Sequence, residues 1–401
     1  MKKYNTLTIT VLLTFLTALG PITTGLYLPS LPTIQAYFNT DVPTTQLTLS
    51  LYLMVFAIAQ LFYGPLSDQY GRKPIVLIGT VIYILGSIVC VIAQDIEMLI
   101  AGRAVQALGG CAGLVLARSM VRDIFGPDKT AKILSYMGTA MALAPALGPV
   151  IGGYLTITFG WQANFMILVI YGILCLLGIT LMLQETNLNK TSNAIHPIKL
   201  LNNYKTLLKD RTYLGYLLVM SFSFSGMVSF VSGSAFFFIK VLKLQPDQFG
   251  YYFAITIAGY MVGTQIGGRM ADKTEVPRIV YYGALISAFS GLLILALALI
   301  PVNHAAAILL PMTLYMIGLG LTFPSALAGG ITPFPTIVGT ASSLAGFSQN
   351  ILAALVSLWI ASNFNMTQVP MAIGIAAMAV LSLVSCHTLV YQPRKLPSST
   401  G

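Results

Sequence analysis

Residues 63–74 read YGPLSDQYGRKP, which sets Asp68, Arg72 and Lys73 between two long apolar stretches. Charge is scarce elsewhere: only 8% of the 401 residues are charged, 56% are hydrophobic, and the mean hydropathy is +0.83. A soluble protein of this length carries about 25% charged residues. Too few polar side chains exist to cover a water-facing surface, so a polytopic membrane protein is expected. The composition also excludes collagen-like and coiled-coil chains, which need regular periods, and disorder, which needs low hydrophobicity. A net charge of +10 suggests nucleic acid in a soluble protein, but no basic face or aromatic platform accompanies it here. No nucleic-acid partner is expected; the lipid bilayer is.

A bilayer span takes about 20 apolar residues. Windows of that kind occur twelve times, at about 6–28, 46–66, 75–94, 98–121, 133–155, 164–184, 213–238, 248–270, 279–300, 305–330, 338–362 and 367–391. The weakest separation is Pro301–His304, between the ninth and tenth. Lys2, Lys3 and the apolar run after Thr8 resemble a signal peptide, but Pro21 disfavours cleavage after Gly20 and the run continues to Leu28. An uncleaved first span is expected. Twelve spans put both termini on one side. Eighteen of the 21 basic residues fall on that side, Lys240 and Lys243 fall on the other, and Arg103 lies within a span. The positive-inside rule then makes both termini cytoplasmic.

The longest polar stretch, residues 185–212, separates six spans from six. The expected organisation is an N-terminal bundle over 1–186, a cytoplasmic linker over 187–212 and a C-terminal bundle over 213–401. In the linker, Ile198, Leu201, Tyr204 and Leu208 recur at helical spacing beside Lys199, Lys205 and Lys209. This fits either an amphipathic helix on the leaflet or a plain solvated connection. The halves echo one another: Gly64 and Asp68 close the second span, and Gly268 and Asp272 close the eighth, each 204 positions on. A shared pattern at one topological position signals a duplicated bundle.

Within the opening stretch, Gly64 removes a side chain where helices approach. Asp68 sits at a helix end, Gly71 permits a left-handed turn, and Pro74 suits the first turn of the third span. Arg72 and Lys73 hold the connection inside. The plain reading is a tight turn with topogenic charges.

This segment closely resembles the loop motif of the major facilitator superfamily. The fourth span adds Arg103, Gln106 and Gly109 in RAVQALGG, and the fifth reads ALAPALGPVIGGYL, with Gly148, Pro149, Gly152 and Gly153 as in drug:proton antiporters. YLPSLPTI and ARSMVRDIF resemble the Bcr/CflA multidrug-resistance branch. The resemblance implies an all-α membrane protein of twelve transmembrane helices in two pseudo-symmetric six-helix bundles, around a cavity that opens to each side in turn. It implies an antiporter for multidrug efflux in the bacterial inner membrane, with a small-molecule substrate, protons as coupling ion, a monomeric state and no cofactor. Asp68, Arg72 and Asp123 would form a latch between the bundles, with Gly64, Gly71, Lys73 and Asp272. The reading of Asp68 and Asp123 as local structural pairs stays open. The fifth span would pack on the eighth, with Gly263 and Gly267 as small partners.

One departure matters. The branch carries an acid two positions before Tyr27-Leu28-Pro29, where this chain has Gly25. All eleven acids lie in loops or near span ends. A carboxylate in a dry cavity can exchange a proton for a cation, and glycine cannot. An aspartate placed at 25 is expected to raise the pH dependence of transport. Arg103 is the one basic residue well inside a span, and such a charge usually faces a cavity. It also lies ~7.5 Å from its helix start, so snorkelling to Asp95 or Glu97 is the alternative. Without an embedded acid, Arg103 favours anionic, zwitterionic or neutral substrates.

Tyr27, Tyr52, Phe56, Gln60, Phe222, Phe224, Phe347 and Asn350 are candidates for lining the cavity. Each can equally be a packing residue. His196, His304 and His387 fall in connections or near a span end and offer no proton relay. Cys90, Cys111, Cys175 and Cys386 read as buried small residues, without metal-ligand spacing. No Walker loop, zinc motif or catalytic dyad is present, so no enzyme is expected. The reading is an exporter of small amphipathic compounds. The alternatives are a facilitator, importer or exporter of a small anionic or zwitterionic metabolite, and a membrane receptor or assembly protein that transports nothing.

Overall fold

The structure is a computed structural model that describes residues 6–187, 197–300, 304–334 and 337–391. Lys2, Lys3, Lys190, His196, Arg394 and Lys395 lie outside the described residues, as do the side chains of Asp128, Lys132, Ile198 and Lys199. The described chain is helical throughout. Its elements are α1 (Thr6–Tyr27), α2 (Leu31–Tyr37), α3 (Val42–Tyr70), α4 (Arg72–Val91), α5 (Ile96–Phe159), α6 (Gln162–Met182), α7 (Pro197–Lys209), α8 (Arg211–Phe236), α9 (Pro246–Ala271), α10 (Val276–Ala298), α11 (Ala305–Ile331), α12 (Val338–Ser362) and α13 (Val369–Ser385). Ten of these helices are long and apolar enough to cross a membrane. The remaining two crossings are the second arm of α5, apolar over Leu143–Phe159, and α9, which carries Asp247 and Arg269 in its terminal turns.

Three boundaries differ from expectation. The first span does not stop at 28: a 3₁₀ turn over Leu28–Ser30 leads straight into α2. The fourth and fifth spans have no loop between them. Two helical arms of α5, Ile96–Gly126 and the stretch that runs on to Phe159, meet at Gly126, whose φ of 71° lies in the left-handed region that glycine tolerates. The connection after the second span is a single residue, Gly71, at φ 108°, so Asp68 belongs to α3 and Arg72 opens α4.

Capping explains why the acids sit at helix ends. The Asp41 carboxylate accepts from Thr44 N at 2.7 Å, Asp95 from Met98 N at 2.6 Å, and Asp210 from Tyr213 N at 2.7 Å. Each satisfies one of the donors a helix start leaves open. The Thr44 contact holds the Asp41 carboxyl below the usual carboxylate range.

Helices pair through positions without side chains. A Cβ on Gly148 would lie 2.9 Å from the Gly25 Cα, and one on Gly102 would lie 2.9 Å from the Cys90 sulfur. The duplication extends into the packing. Gly79 of α4 fits against Ala112 and the Gly109 carbonyl of α5, and Gly283, again 204 positions on, fits against Gly318 and Leu321 of α11.

The two bundles meet along α3–α12 and along the second arm of α5 against α9. The face that carries Gly71 is called here the basic face, and its opposite the far face. The α5–α9 pairing is tight toward the far face: a Cβ on Gly250 would lie 2.6 Å from the Pro149 carbonyl oxygen, and one on Gly153 2.8 Å from the Asp247 Cα. Toward the basic face, added Cβ atoms at Gly138 and Gly268 would meet nothing within 4 Å. The expected partners Gly263 and Gly267 are elsewhere. Gly263 packs on Ile317 and Gly267 on Leu321, both of α11 in the same bundle. Along this pair the tight glycine contacts lie toward the far face, and the described glycines toward the basic face, Gly138 and Gly268, are open.

Candidate functional site

Arg103 lies two turns into α5 and is completely buried. It does not snorkel. Asp95 is engaged with Met98 N, and the guanidinium turns inward between the rings of Tyr27, at 4.5 Å, and Tyr52, at 4.1 Å. Phe165 stands at 5.9 Å. Nη1 donates to Gln106 Oε1 at 2.5 Å, and Nε to the Thr48 carbonyl at 3.4 Å. Gln106 is fixed in turn by its own donation to Ser87 Oγ at 2.8 Å. The Tyr27 hydroxyl is hydrogen-bonded to Thr48 Oγ1. Nη2 has no partner.

Gly25 does not face this cage. A Cβ there would meet Gly148 Cα at 3.2 Å and Pro149 Cδ at 3.4 Å. The position where the branch keeps its acid is a helix-to-helix contact in this chain, and an aspartate would be driven into α5. The expectation that aspartate at 25 restores pH dependence is therefore replaced. Gly25→Asp is expected to lower the yield of folded protein, which size-exclusion chromatography in detergent will read.

Phe56 packs on Tyr52 at 5.9 Å, between the cage and the bundle junction. At the junction, Asn350 Nδ2 stands 3.5 Å from Gln60 Oε1 and donates to the Gly346 carbonyl at 2.9 Å. Phe222 and Phe347 are half-buried, and Phe224 lies 5.9 Å from Phe323. Sequence reasoning missed a serine node toward the far face. Ser357 Oγ of α12 accepts from Gln46 Nε2 at 3.0 Å and from Ser232 Oγ at 2.7 Å, and is hydrogen-bonded to Ser50 Oγ at 2.9 Å. Gln46 and Ser50 come from one bundle, Ser232 and Ser357 from the other. Lys240 Nζ donates to Gln35 Oε1 across the same junction. No motif marks these four residues; the run SFSFSG, residues 221–226, lies elsewhere on α8, with Ser221 and Ser225 buried and without a hydrogen-bond partner among the described residues.

Three residues of the motif converge on the basic face. Arg72 Nη1 reaches Asp68 Oδ1 at 2.5 Å and Ser67 Oγ at 2.5 Å, and Nε reaches Asp123 Oδ2 at 3.1 Å. All belong to one bundle. Asp272 is exposed and makes no ion pair among the described residues. Gly64 faces α12, its added Cβ 3.9 Å from Ser343 Oγ. An acid that no motif marked completes the group. Glu185, after α6, accepts from Arg72 N at 2.9 Å and Lys73 N at 3.2 Å. Lys73 Nζ donates to the Leu183 carbonyl at 2.6 Å. The start of α4 is thus capped by a distant carboxylate, and its lysine caps the end of α6.

Removal of Ser357 leaves Gln46 and two serines with unmet hydrogen bonds in a buried place, a cost of about 1–3 kcal/mol. Ser357→Val is therefore expected to loosen the far face. The measurement is the labelling rate of a cysteine placed at Ser50 by a membrane-impermeant maleimide, which should rise.

Paired helices in two bundles, ten of them long and apolar enough to cross a membrane, with hydrogen bonds joining the bundles toward the far face, make the architecture of a multi-pass membrane protein. The model of the Major Facilitator Superfamily matches residues 13–357, and the chain belongs to that superfamily. It is 30% identical over 381 residues to the bicyclomycin resistance protein homolog of Haemophilus influenzae, covering 93% of this chain and 94% of the relative. It is 28% identical to multidrug resistance protein D of Escherichia coli, covering 88% of each. The crystal structure of the D-xylose–proton symporter shares the fold, with a TM-score of 0.77 at 16% identity over 96% of this chain and 98% of that one.

Proposed function

We propose that this protein exports small amphipathic compounds from the cytoplasm across the bacterial inner membrane by alternating access. The basic face is cytoplasmic in this reading, as the distribution of lysine and arginine requires. The bundles of residues 1–186 and 213–401 rock against one another within one monomeric chain, tethered by 187–212. The carrying observation is an asymmetry of the junction: Ser357, Gln46, Ser50 and Ser232 knit it toward the far face, and Gly138 of α5 and Gly268 of α9 stand open toward the basic face. Contacts present in one arrangement only are what bias a two-state machine.

Arg72, Asp68 and Asp123, with Gly64, Gly71 and Lys73, serve as the pre-assembled half of a cytoplasmic latch that meets the second bundle, Asp272 included, when that side closes. Gly148, Pro149, Gly152 and Gly153 form the bearing on which α5 moves against α1 and α9. Tyr27, Tyr52, Phe56, Gln60, Arg103, Gln106, Phe222 and Asn350 line the route. The names of the relatives support drug export. Protons are the coupling ion that the resemblance implies, and Gly25 does not supply their site.

The test is accumulation of a panel of drugs, siderophore-like acids and amino acids in cells with and without the protein. Expression should lower accumulation of some amphipathic members, and an uncoupler should abolish the difference. Unchanged accumulation across the panel would refute export.

A further inference from the structure

We propose that Arg103 is a binding subsite for a monoanion, and that the compounds carried present a carboxylate or similar single negative charge to it. This rests on the transport reading above and adds the substrate class. An arginine keeps its charge, and a fully buried guanidinium is costly unless it is paired. Around Arg103 the pairing is incomplete. Two tyrosine faces attract the cation, and Gln106 and Thr48 take Nη1 and Nε, but Nη2 is enclosed and without an acceptor.

Among the described residues no carboxylate forms an ion pair with Arg103. Asp41, Asp95 and Asp210 cap helices, Asp68 and Asp123 hold Arg72, and Glu185 holds the start of α4. Along α5, Arg103 and Arg118 are the only charged residues between Glu97 and Arg122. Arg118 is exposed although it stands more than two turns inside the helix. Between Arg122 and Glu97, α5 therefore presents a ligand with positive charge only. The rings flanking the guanidinium suit a flat apolar body beside the anionic group. The subsite is closed in this conformation, and access comes with the rearrangement that transport requires.

The same chemistry is offered by a substrate carboxylate and by free chloride, and one experiment separates them. The full chain, purified in detergent with Trp359→Phe, is titrated with benzoate, neutral benzamide, benzylammonium and chloride, in a gluconate buffer. Binding is followed by the fluorescence of Trp161, whose ring contacts Phe165 beside the cage. Benzoate is expected to bind about tenfold or more tightly than benzamide, the size of one charged hydrogen bond. Arg103→Gln should erase that preference, and Arg103→Lys should keep part of it.

Equal binding of benzoate and benzamide by the unsubstituted cage would overturn the proposal, even if Arg103→Gln fails to fold. Preference for benzylammonium, or an intact benzoate preference in Arg103→Gln, would overturn it as well. Chloride bound without benzoate would overturn the substrate class. Arg103-dependent benzoate binding in a protein that exports nothing would sink the export reading and leave the subsite standing.

Discussion

Gly152→Val is expected to abolish transport and to lower thermal stability sharply. A Cβ at 152 would stand 2.8 Å from the Leu26 Cα, and the neighbouring atoms are backbone, which cannot swing aside. Gly148 faces the Gly25 Cα at 2.9 Å one turn earlier, so α1 and α5 are held backbone to backbone over both turns. Overpacking of this kind costs about 1–3 kcal/mol per site, and valine adds two methyl groups beyond the Cβ. The matched control is Gly138→Ala in the same helix, where an added Cβ meets nothing within 4 Å. That substitution should leave stability unchanged or raise it by up to about 1 kcal/mol, as alanine for glycine does at an open helix position. Thermal unfolding followed by light scattering or circular dichroism compares the two. Equal midpoints for Gly152→Val and Gly138→Ala would contradict the packing described here.

Arg72→Ala is expected to have the second-largest effect. Its guanidinium holds Asp68 at 2.5 Å, Ser67 at 2.5 Å and Asp123 at 3.1 Å, with the Arg72 side chain 11% exposed and the Asp123 side chain 22%. Removal leaves two carboxylates without their shared partner. Asp68 is 45% exposed, so water screens part of the loss. The cost should be about 1–3 kcal/mol, between exposed and buried pairs. Arg72→Lys should not restore function, because an ammonium is a single point charge and cannot present Nε to one carboxylate and Nη1 to another. Transport and thermal midpoint, measured on both variants, check this. Full rescue by lysine would show that charge alone, and not the fork, matters at position 72.

The sequence carried the architecture because the membrane imposes it. Apolar windows marked the spans, and the 204-residue echo of Gly64 and Asp68 marked the duplication, which Gly79 and Gly283 carry into the packing. Other features were illegible for physical reasons. The turn at Gly126 falls between the fourth and fifth apolar windows, in an interval that holds Arg122, Asp123, Asp128, Lys129 and Lys132, and such charge does not distinguish a loop from a helix that leaves the bilayer. The direction of Arg103 was open because a long side chain near a helix start has partners on both sides. The rings of Tyr27 and Tyr52 decide it, and they come from other helices. Gly263 and Gly267 were assigned to the wrong neighbour because small residues mark close approach without saying to what. Glu185 and Ser357 belong to no motif, and each acts on residues more than 100 positions away.

The central claim is that the far face and the basic face open in alternation, and distances between spin labels measure it most directly. Labels go at the exposed positions Ala36 and Ser362 for the far face, and at Tyr70 and Lys273 for the basic face. Adding a transported compound should lengthen the first distance and shorten the second in the same fraction of molecules. Two distances that stay fixed, or that lengthen together, would contradict alternating access in this protein.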